Sequence, residues 1–279
     1  MVFDFCGTKL NLNSPQIMGV LNITPDSFSD GGQFNHLDQA LEQAEAMVTA
    51  GASIIDVGGE STRPGAVKVG EQEELARVLP VIEKLRQCSD IIISIDTSKP
   101  VVMRQAVAAG ANFINDINAL HSDGALELVA ELGVPVCLMH MQNKPETMQN
   151  KPDYDDVVEE VSAFFSERLS ACENAGISTD KIILDPGFGF GKTLQHNLLL
   201  LKNLASFKKF NVPILAGLSR KSMFADIVNK PVDKRLYASL SGALIAITNG
   251  AAIVRVHDVE QTADMLKVYN AVRQVNSSC

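Results

Sequence analysis

The chain has 279 residues, 46% of them hydrophobic, enough for one large barrel-type domain or two smaller ones. Its 24 basic and 33 acidic residues leave a net charge of −9, which argues against general binding to nucleic acid or anionic membranes but not against a few local cations in a pocket. The five cysteines are odd in number and lack Cys-x-x-Cys spacing, so neither a disulfide framework nor a zinc site is indicated. No apolar run approaches a membrane span, the start of the chain has no apolar leader pattern, and a cytoplasmic location is the expectation.

Residues 2–12, V-F-D-F-C-G-T-K-L-N-L, alternate around Gly7-Thr8 and read as a β-hairpin. A repeating unit follows, an apolar β-branched run and then an amphipathic helical pattern. The runs are 17–23, 53–57, 91–95, 112–115, 134–139, 181–184, 212–216 and 252–256. The helical patterns are 37–50, 72–86, 100–109, 123–132, 154–175, 197–207, 234–249 and 259–275. Gly51, Gly110, Gly133 and Gly250 stand where helices should stop. The runs are near-continuously apolar, as in a parallel sheet buried on both faces, and eight units close a (β/α)8 TIM barrel. An open doubly wound sheet is the competing arrangement. One domain is expected over 1–279, with the hairpin at 2–12 and the barrel over 15–275; three long loops, 24–36, 58–70 and 142–153, would form walls or lids at one rim.

The segment I-I-L-D-P-G-F-G-F-G-K-T (182–193) resembles a phosphate-binding P-loop and fails by one residue. Counting back from Gly191 puts Pro186 where the first Gly must stand. Lys192-Thr193 then read as loop and helix start. What remains is a strand that ends on Asp185, and the other strand ends are similar. They carry Asn22, Asp56, Asp96, Asn115 with Asp116, His140, Ser219-Arg220-Lys221, and Arg255 with His257. In a parallel barrel the C-terminal strand ends share one rim.

The set divides by chemistry. Asp96, Asn115 and Asp185 offer acceptors, or mixed donor and acceptor groups, suited to a flat nitrogen-rich heterocycle. Arg63, Arg255 and His257 suit an oxyanion such as a diphosphate. Asn22 would give Mg2+ one neutral oxygen, the diphosphate giving others. Asp56 reads as structural, beside the turn residues Gly58, Gly59 and Glu60. Glu60 reads as a loop brace, and His140 as a rim histidine rather than a catalytic one. Sequence leaves open which of Arg220 and Lys221 enters the pocket.

Eight segments carry a resemblance: L-N-I-T-P-D-S-F-S-D-G-G (21–32), D-V-G-G-E-S-T-R-P-G-A (56–66), S-I-D-T-S-K-P (94–100), I-N-D-I (114–117), M-H-M-Q (139–142), L-D-P-G-F-G-F-G-K (184–192), S-R-K-S (219–222) and R-V-H-D-V (255–259). Together, and in this order, they resemble the bacterial dihydropteroate synthase family over essentially the whole chain. The resemblance implies a (β/α)8 barrel that joins a dihydropterin bearing a hydroxymethyl diphosphate to 4-aminobenzoate with Mg2+, as a target of sulfonamides and typically as a homodimer. It implies a pterin held by Asp96, Asn115, Asp185 and Lys221, with Met139 against its face and Arg255 stacked on it. Diphosphate would meet Asn22 through Mg2+, and Thr62, Arg63, Arg255 and His257 directly. The 4-aminobenzoate site would comprise Phe28, Thr62, Pro64, Phe190, Ser219, Lys221 and Ser222. Asp96, Asp185, Lys221 and Arg255 are the implied catalytic set, and the substitution is expected to be SN1-like. Two positions depart from the family: Asn143 and Ala225 stand where Gly is common.

The rival classes are a methyltetrahydrofolate-dependent methyltransferase barrel, a P-loop protein and a non-catalytic pterin-binding module. The first should lack the cations and the first two long loops present here; the second fails on spacing; turnover distinguishes the third.

Overall fold

The computed structural model of the chain describes residues 1–23, 33–61, 68–142, 148 and 152–275. A hairpin, β1 (Val2–Phe5) and β2 (Thr8–Asn11), precedes eight strands: β3 (Gln16–Asn22), β4 (Ile54–Gly58), β5 (Ile92–Asp96), β6 (Phe113–Asp116), β7 (Val136–Met139), β8 (Ile182–Asp185), β9 (Leu215–Ala216) and β10 (Ile253–Val256). The helices are α1 (Gln33–Thr49), α2 (Glu71–Cys88), α3 (Pro100–Ala108), α4 (Ala125–Leu132), α5 (Val157–Asn174), α6 (Leu194–Lys202), α7 (Ser222–Val228), α8 (Leu236–Thr248) and α9 (Val259–Gln274). Every neighbouring pair in the sheet order β8-β7-β6-β5-β4-β3-β10-β9 is parallel. A parallel bridge from Leu184 to Ile214 brings the two edges together. The sheet is therefore a barrel rather than an open doubly wound sheet.

Alternation along each strand sorts side chains into two cores, because successive residues point to opposite faces. Outward residues such as Leu21, Ile55, Ile93, Ile114, Leu138, Leu184 and Val254 pack under the helices. Inward, each barrel strand gives one apolar residue to a lower layer: Met18, Ile54, Ile92, Phe113, Cys137, Ile183, Leu215 and Ile253. Phe3, Phe5 and Leu12 from the hairpin region seal that layer from below. Phe5 meets Phe113 edge-on at 5.2 Å, and Asn112 Nδ2 donates to the Phe5 carbonyl at 3.2 Å.

Several expected elements shift for local reasons. The run 212–216 yields only the short β9, because Pro213 has no N–H to give the ladder; its carbonyl still accepts from Leu184 N at 3.0 Å. The helix expected from 154 begins at Val157, where the Asp156 carboxylate caps the N–H groups of Val158 and Glu159. The pattern 197–207 divides into α6 and a 3-10 turn at Leu204–Phe210. Helix α7 was not expected from the periodicity. Gly51, Gly110, Gly133 and Gly250 all have positive φ just past helix ends, as the sequence implies.

Candidate active site at the barrel mouth

Two residues beyond the lower apolar layer, most of the inward positions that form the mouth become polar. They carry Asp56 on β4, Asn115 on β6, Met139 on β7, Asp185 on β8 and Arg255 on β10. Asp96, last in β5, pairs in register with both Gly58 and Asn115. Asp96, Asn115, Met139 and Asp185 are buried.

Charge pairing ties this ring together. Arg255 Nε donates to Asp56 Oδ2 at 2.5 Å, and Arg255 Nη2 donates to Asp96 Oδ2 at 2.6 Å. Asn115 Nδ2 donates to the same Asp56 oxygen at 3.2 Å. With its amide nitrogen turned to Asp56, Asn115 has its carbonyl oxygen left to meet a ligand. Asp56 is thus structural, as the sequence suggests. It lies inside β4, fully buried, and holds the orientation of two mouth side chains. A buried carboxylate is tolerated there because Arg255 compensates it.

Burial pushes the Asp96 carboxyl up to about 7; Arg255 pulls it back, while Asp56, Glu74 and Asp116 push it further up. Burial also raises Asp185, against the Gly187 N–H, Lys221, Arg255 and Lys192. Burial works against the charge of Arg255, but Asp56 and Asp96 outweigh it and hold its pKa above the usual range.

Above the ring, Asp185 Oδ1 accepts from Gly187 N at 2.8 Å. A side chain at Gly187 would put its Cβ 1.9 Å from the His140 carbonyl, so only glycine lets the loop after β8 pass so close to the end of β7. The loop brings Phe190 beside Met139 and Met148. Lys221 Nζ stands 4.1 Å from the centre of the Phe190 ring, a cation–π contact. Arg220 instead pairs with Asp258 on the outside, at a positive φ of 59°, so Lys221 is the one of the two that faces the mouth. Ser219 is buried, with its Oγ 3.2 Å from the His257 N–H and 3.0 Å from His257 Nδ1. Ser222 opens α7 and is exposed. Asn22 ends β3 and is half-buried. Phe28, Thr62, Arg63, Pro64 and Asn143 lie outside the described residues.

Glu60 is the brace the sequence suggested. It accepts from Val69 N at 3.1 Å and pairs with Lys99, which also pairs with the fully buried Glu74. Thr193 caps α6 with a capping box that includes His196, as expected of a helix start. Lys192 lies in the loop before α6, as the sequence implies. It is buried, and its ammonium reaches His140 Nδ1 and the Gly187 and Phe190 carbonyls. Only the apolar run before Asp185 and the glycines around Phe190 hinted at it; Asp56 had no signal beyond its own strand.

A closed parallel barrel with paired carboxylates, an arginine and a lysine at the C-terminal strand ends defines a barrel enzyme that works at its mouth on a polar, partly anionic substrate. The comparisons narrow this class. The family profile described as "Pterin binding enzyme" matches residues 18–257. The dihydropteroate synthase of Escherichia coli (strain K12) is 55% identical over 265 residues, 95% of this chain and 94% of that protein. The crystal structure of the Yersinia pestis dihydropteroate synthase with a sulfonamide drug complex superposes with a TM-score of 0.94 at 50% identity, covering 99% of this chain and 100% of that one. Xanthomonas albilineans dihydropteroate synthase with 4-aminobenzoic acid gives 0.93 at 46% identity, covering 99% of each. The chain belongs to the dihydropteroate synthases of the pterin-binding enzyme family.

Proposed function

We propose that the barrel mouth joins (7,8-dihydropterin-6-yl)methyl diphosphate to 4-aminobenzoate, giving 7,8-dihydropteroate and diphosphate, so that the chain acts as a transferase forming a C–N bond. The observation that carries this reading is the convergence of Asp96, Asn115 and Asp185 with Arg255 on one inward ring, in a chain of this family. The pterin lies among Asp96, Asn115, Met139, Asp185, Lys221 and Arg255. The diphosphate end faces Asn22, Thr62, Arg63, Arg255 and His257. The 4-aminobenzoate lies among Phe28, Thr62, Pro64, Phe190, Ser219, Lys221 and Ser222.

The carbon–oxygen bond from the pterin methylene to diphosphate breaks before the amine attacks, an SN1-like order. The electron-rich dihydropterin carries the positive charge, and Asp96 and Asp185 stabilise it electrostatically. Arg255 and His257 stabilise the departing diphosphate. The aromatic amine attacks the methylene as a neutral nucleophile, and the resulting ammonium then releases its proton to solvent water. Among the described residues no three His, Cys, Asp or Glu side chains gather as a metal-ligand set. Mg2+ would be held by the neutral Asn22 amide and substrate oxygens. When bound, Mg2+ adds positive charge beside the leaving group.

Incubating the protein with the pterin diphosphate and 4-aminobenzoate, with and without Mg2+, tests the reading. Dihydropteroate forming only with Mg2+ is the expected result; none in either arm reduces the chain to a binding module. A rate at saturating pterin that stays first order in amine at every concentration removes the dissociative order.

The chain is taken to act in the cytoplasm as one domain and a homodimer. Among the described residues no helix is long and apolar enough to cross a membrane. The dimer is supported by the outer face of α8, where Tyr237, Leu244 and Ile245 are exposed at 75%, 38% and 46%. On the same helix, Ile247 is buried on the barrel and Leu240 is half-buried. A Tyr237→Glu, Leu244→Glu variant that keeps the wild-type mass in sedimentation removes this interface.

A further inference from the structure

Lys192 has no part in the chemistry above, yet it is 3% exposed and set between His140 at the end of β7 and the segment that follows β8. Its Nζ lies 2.9 Å from His140 Nδ1, 3.0 Å from the Gly187 carbonyl, 2.9 Å from the Phe190 carbonyl and 3.4 Å from the His140 carbonyl. In its ammonium form Lys192 has three N–H donors and no lone pair, and His140 Nδ1 then accepts. Burial, reinforced by Lys192, lowers the His140 pKa to about 2 and keeps the ring neutral. Burial lowers Lys192 to about 7, with Asp185 opposing and Lys221 adding to the fall.

Every partner of this ammonium belongs to the chain just after β7 or β8. Neighbouring bonds fasten the same loop: Tyr154 Oη donates to the Gly191 carbonyl at 2.9 Å, and Gly189 N donates to Asn197 Oδ1 at 2.8 Å. What the loop presents to the mouth is the Phe190 ring with Lys221 against it.

We infer that Lys192, oriented by His140, is a positioning residue that clamps the loop after β8 and sets the Phe190–Lys221 wall for 4-aminobenzoate. This role rests on the dihydropteroate synthase reading. It differs from a general structural lysine in what it should affect. Losing the clamp displaces the aminobenzoate wall first, while Asp96, Asn115 and Arg255 remain tied to one another through Asp56.

Steady-state kinetics of the full chain with Mg2+ test it. Lys192→Met should raise KM for 4-aminobenzoate about tenfold, close to the lower worth of a single charge-assisted hydrogen bond, with a smaller change in KM for the pterin diphosphate. His140→Leu should produce a similar rise. His140→Asn, whose amide oxygen takes the place of Nδ1, should return KM towards the wild-type value. An unchanged KM for 4-aminobenzoate in Lys192→Met, or an equal rise for both substrates, overturns the inference. If Lys192→Met fails to fold, the His140 pair decides, and equal KM values for Leu and Asn overturn it. An inactive wild-type protein discards the functional reading and this one with it; an active wild type with unaltered variants discards this one alone.

Discussion

The bottom and the mouth of this barrel are built from the same eight strands, yet they obey opposite rules. At the bottom all eight inward side chains are apolar, and a hairpin closes the layer with two phenylalanines. Two residues further along, the inward positions hold two carboxylates, an amide and an arginine, with Asp96 beside them. The lower layer stabilises by removing apolar surface from water, which needs no partner of defined geometry. The upper ring is tolerable only because its charges meet. Asp56 and Asp96 share Arg255, and Asp185 takes the Gly187 N–H. Separating the two layers lets the lower one fix the frame while the upper one holds charges ready for a ligand.

Removing Arg255 should break that separation most severely. Arg255→Ala leaves Asp56 and Asp96 buried without their cation, at a cost of about 3–5 kcal/mol of stability. It should also lower kcat/KM on the order of a thousandfold by removing a group at the developing charge. Denaturant unfolding and steady-state kinetics read the two effects; a loss confined to 4-aminobenzoate affinity contradicts the assigned role. The matching test at the bottom is Phe113→Ala, expected to cost about 3–5 kcal/mol with KM values unchanged well below the melting temperature. A large KM change there would mean that the layers are not independent.

Asp185→Asn keeps the shape of the mouth and removes one charge. Its kcat/KM for the pterin substrate should fall about a hundredfold with the melting temperature nearly constant. Unchanged kinetics would take Asp185 out of the site.

The smallest expected effect concerns pH. The Asp96 pKa is raised from 3.8 to about 7 in the folded protein. Between those values the native state binds the extra proton, so this carboxyl makes stability fall as pH rises from about 4 to about 7. Asp185 and Asp116, also raised by burial, act with the same sign. Asp96→Asn should flatten the slope in melting temperature against pH over that window; an unaltered slope assigns it to the other carboxyls.

Much of this was legible beforehand. The apolar runs and helix patterns gave the barrel because hydrophobic period is a local property of the chain. Asp96, Asn115, Asp185 and Arg255 were legible because each is a polar residue at or near the end of an apolar run. Asp56 reads as structural and is found bracing two side chains, but its partners Arg255 and Asn115 lie on other strands, which the local sequence does not show. Lys192 lies in the loop expected of it, but its burial was not legible, because the glycines before it carry no sign of what packs around them. Helix α7 is only seven residues long, too short for a clear period.

By itself the sequence determined the eight strand–helix units, the plug of apolar residues beneath a polar rim, and the impossibility of a P-loop at Lys192. Tertiary structure alone decided which charges meet. Arg255 and Asp56 are 199 positions apart, and Lys192 and His140 are 52 apart. Their pairing depends on the tilt and stagger with which the strands close into a barrel. Strand spacing along the chain carries the alternation of faces, but closure sets the partner across the mouth.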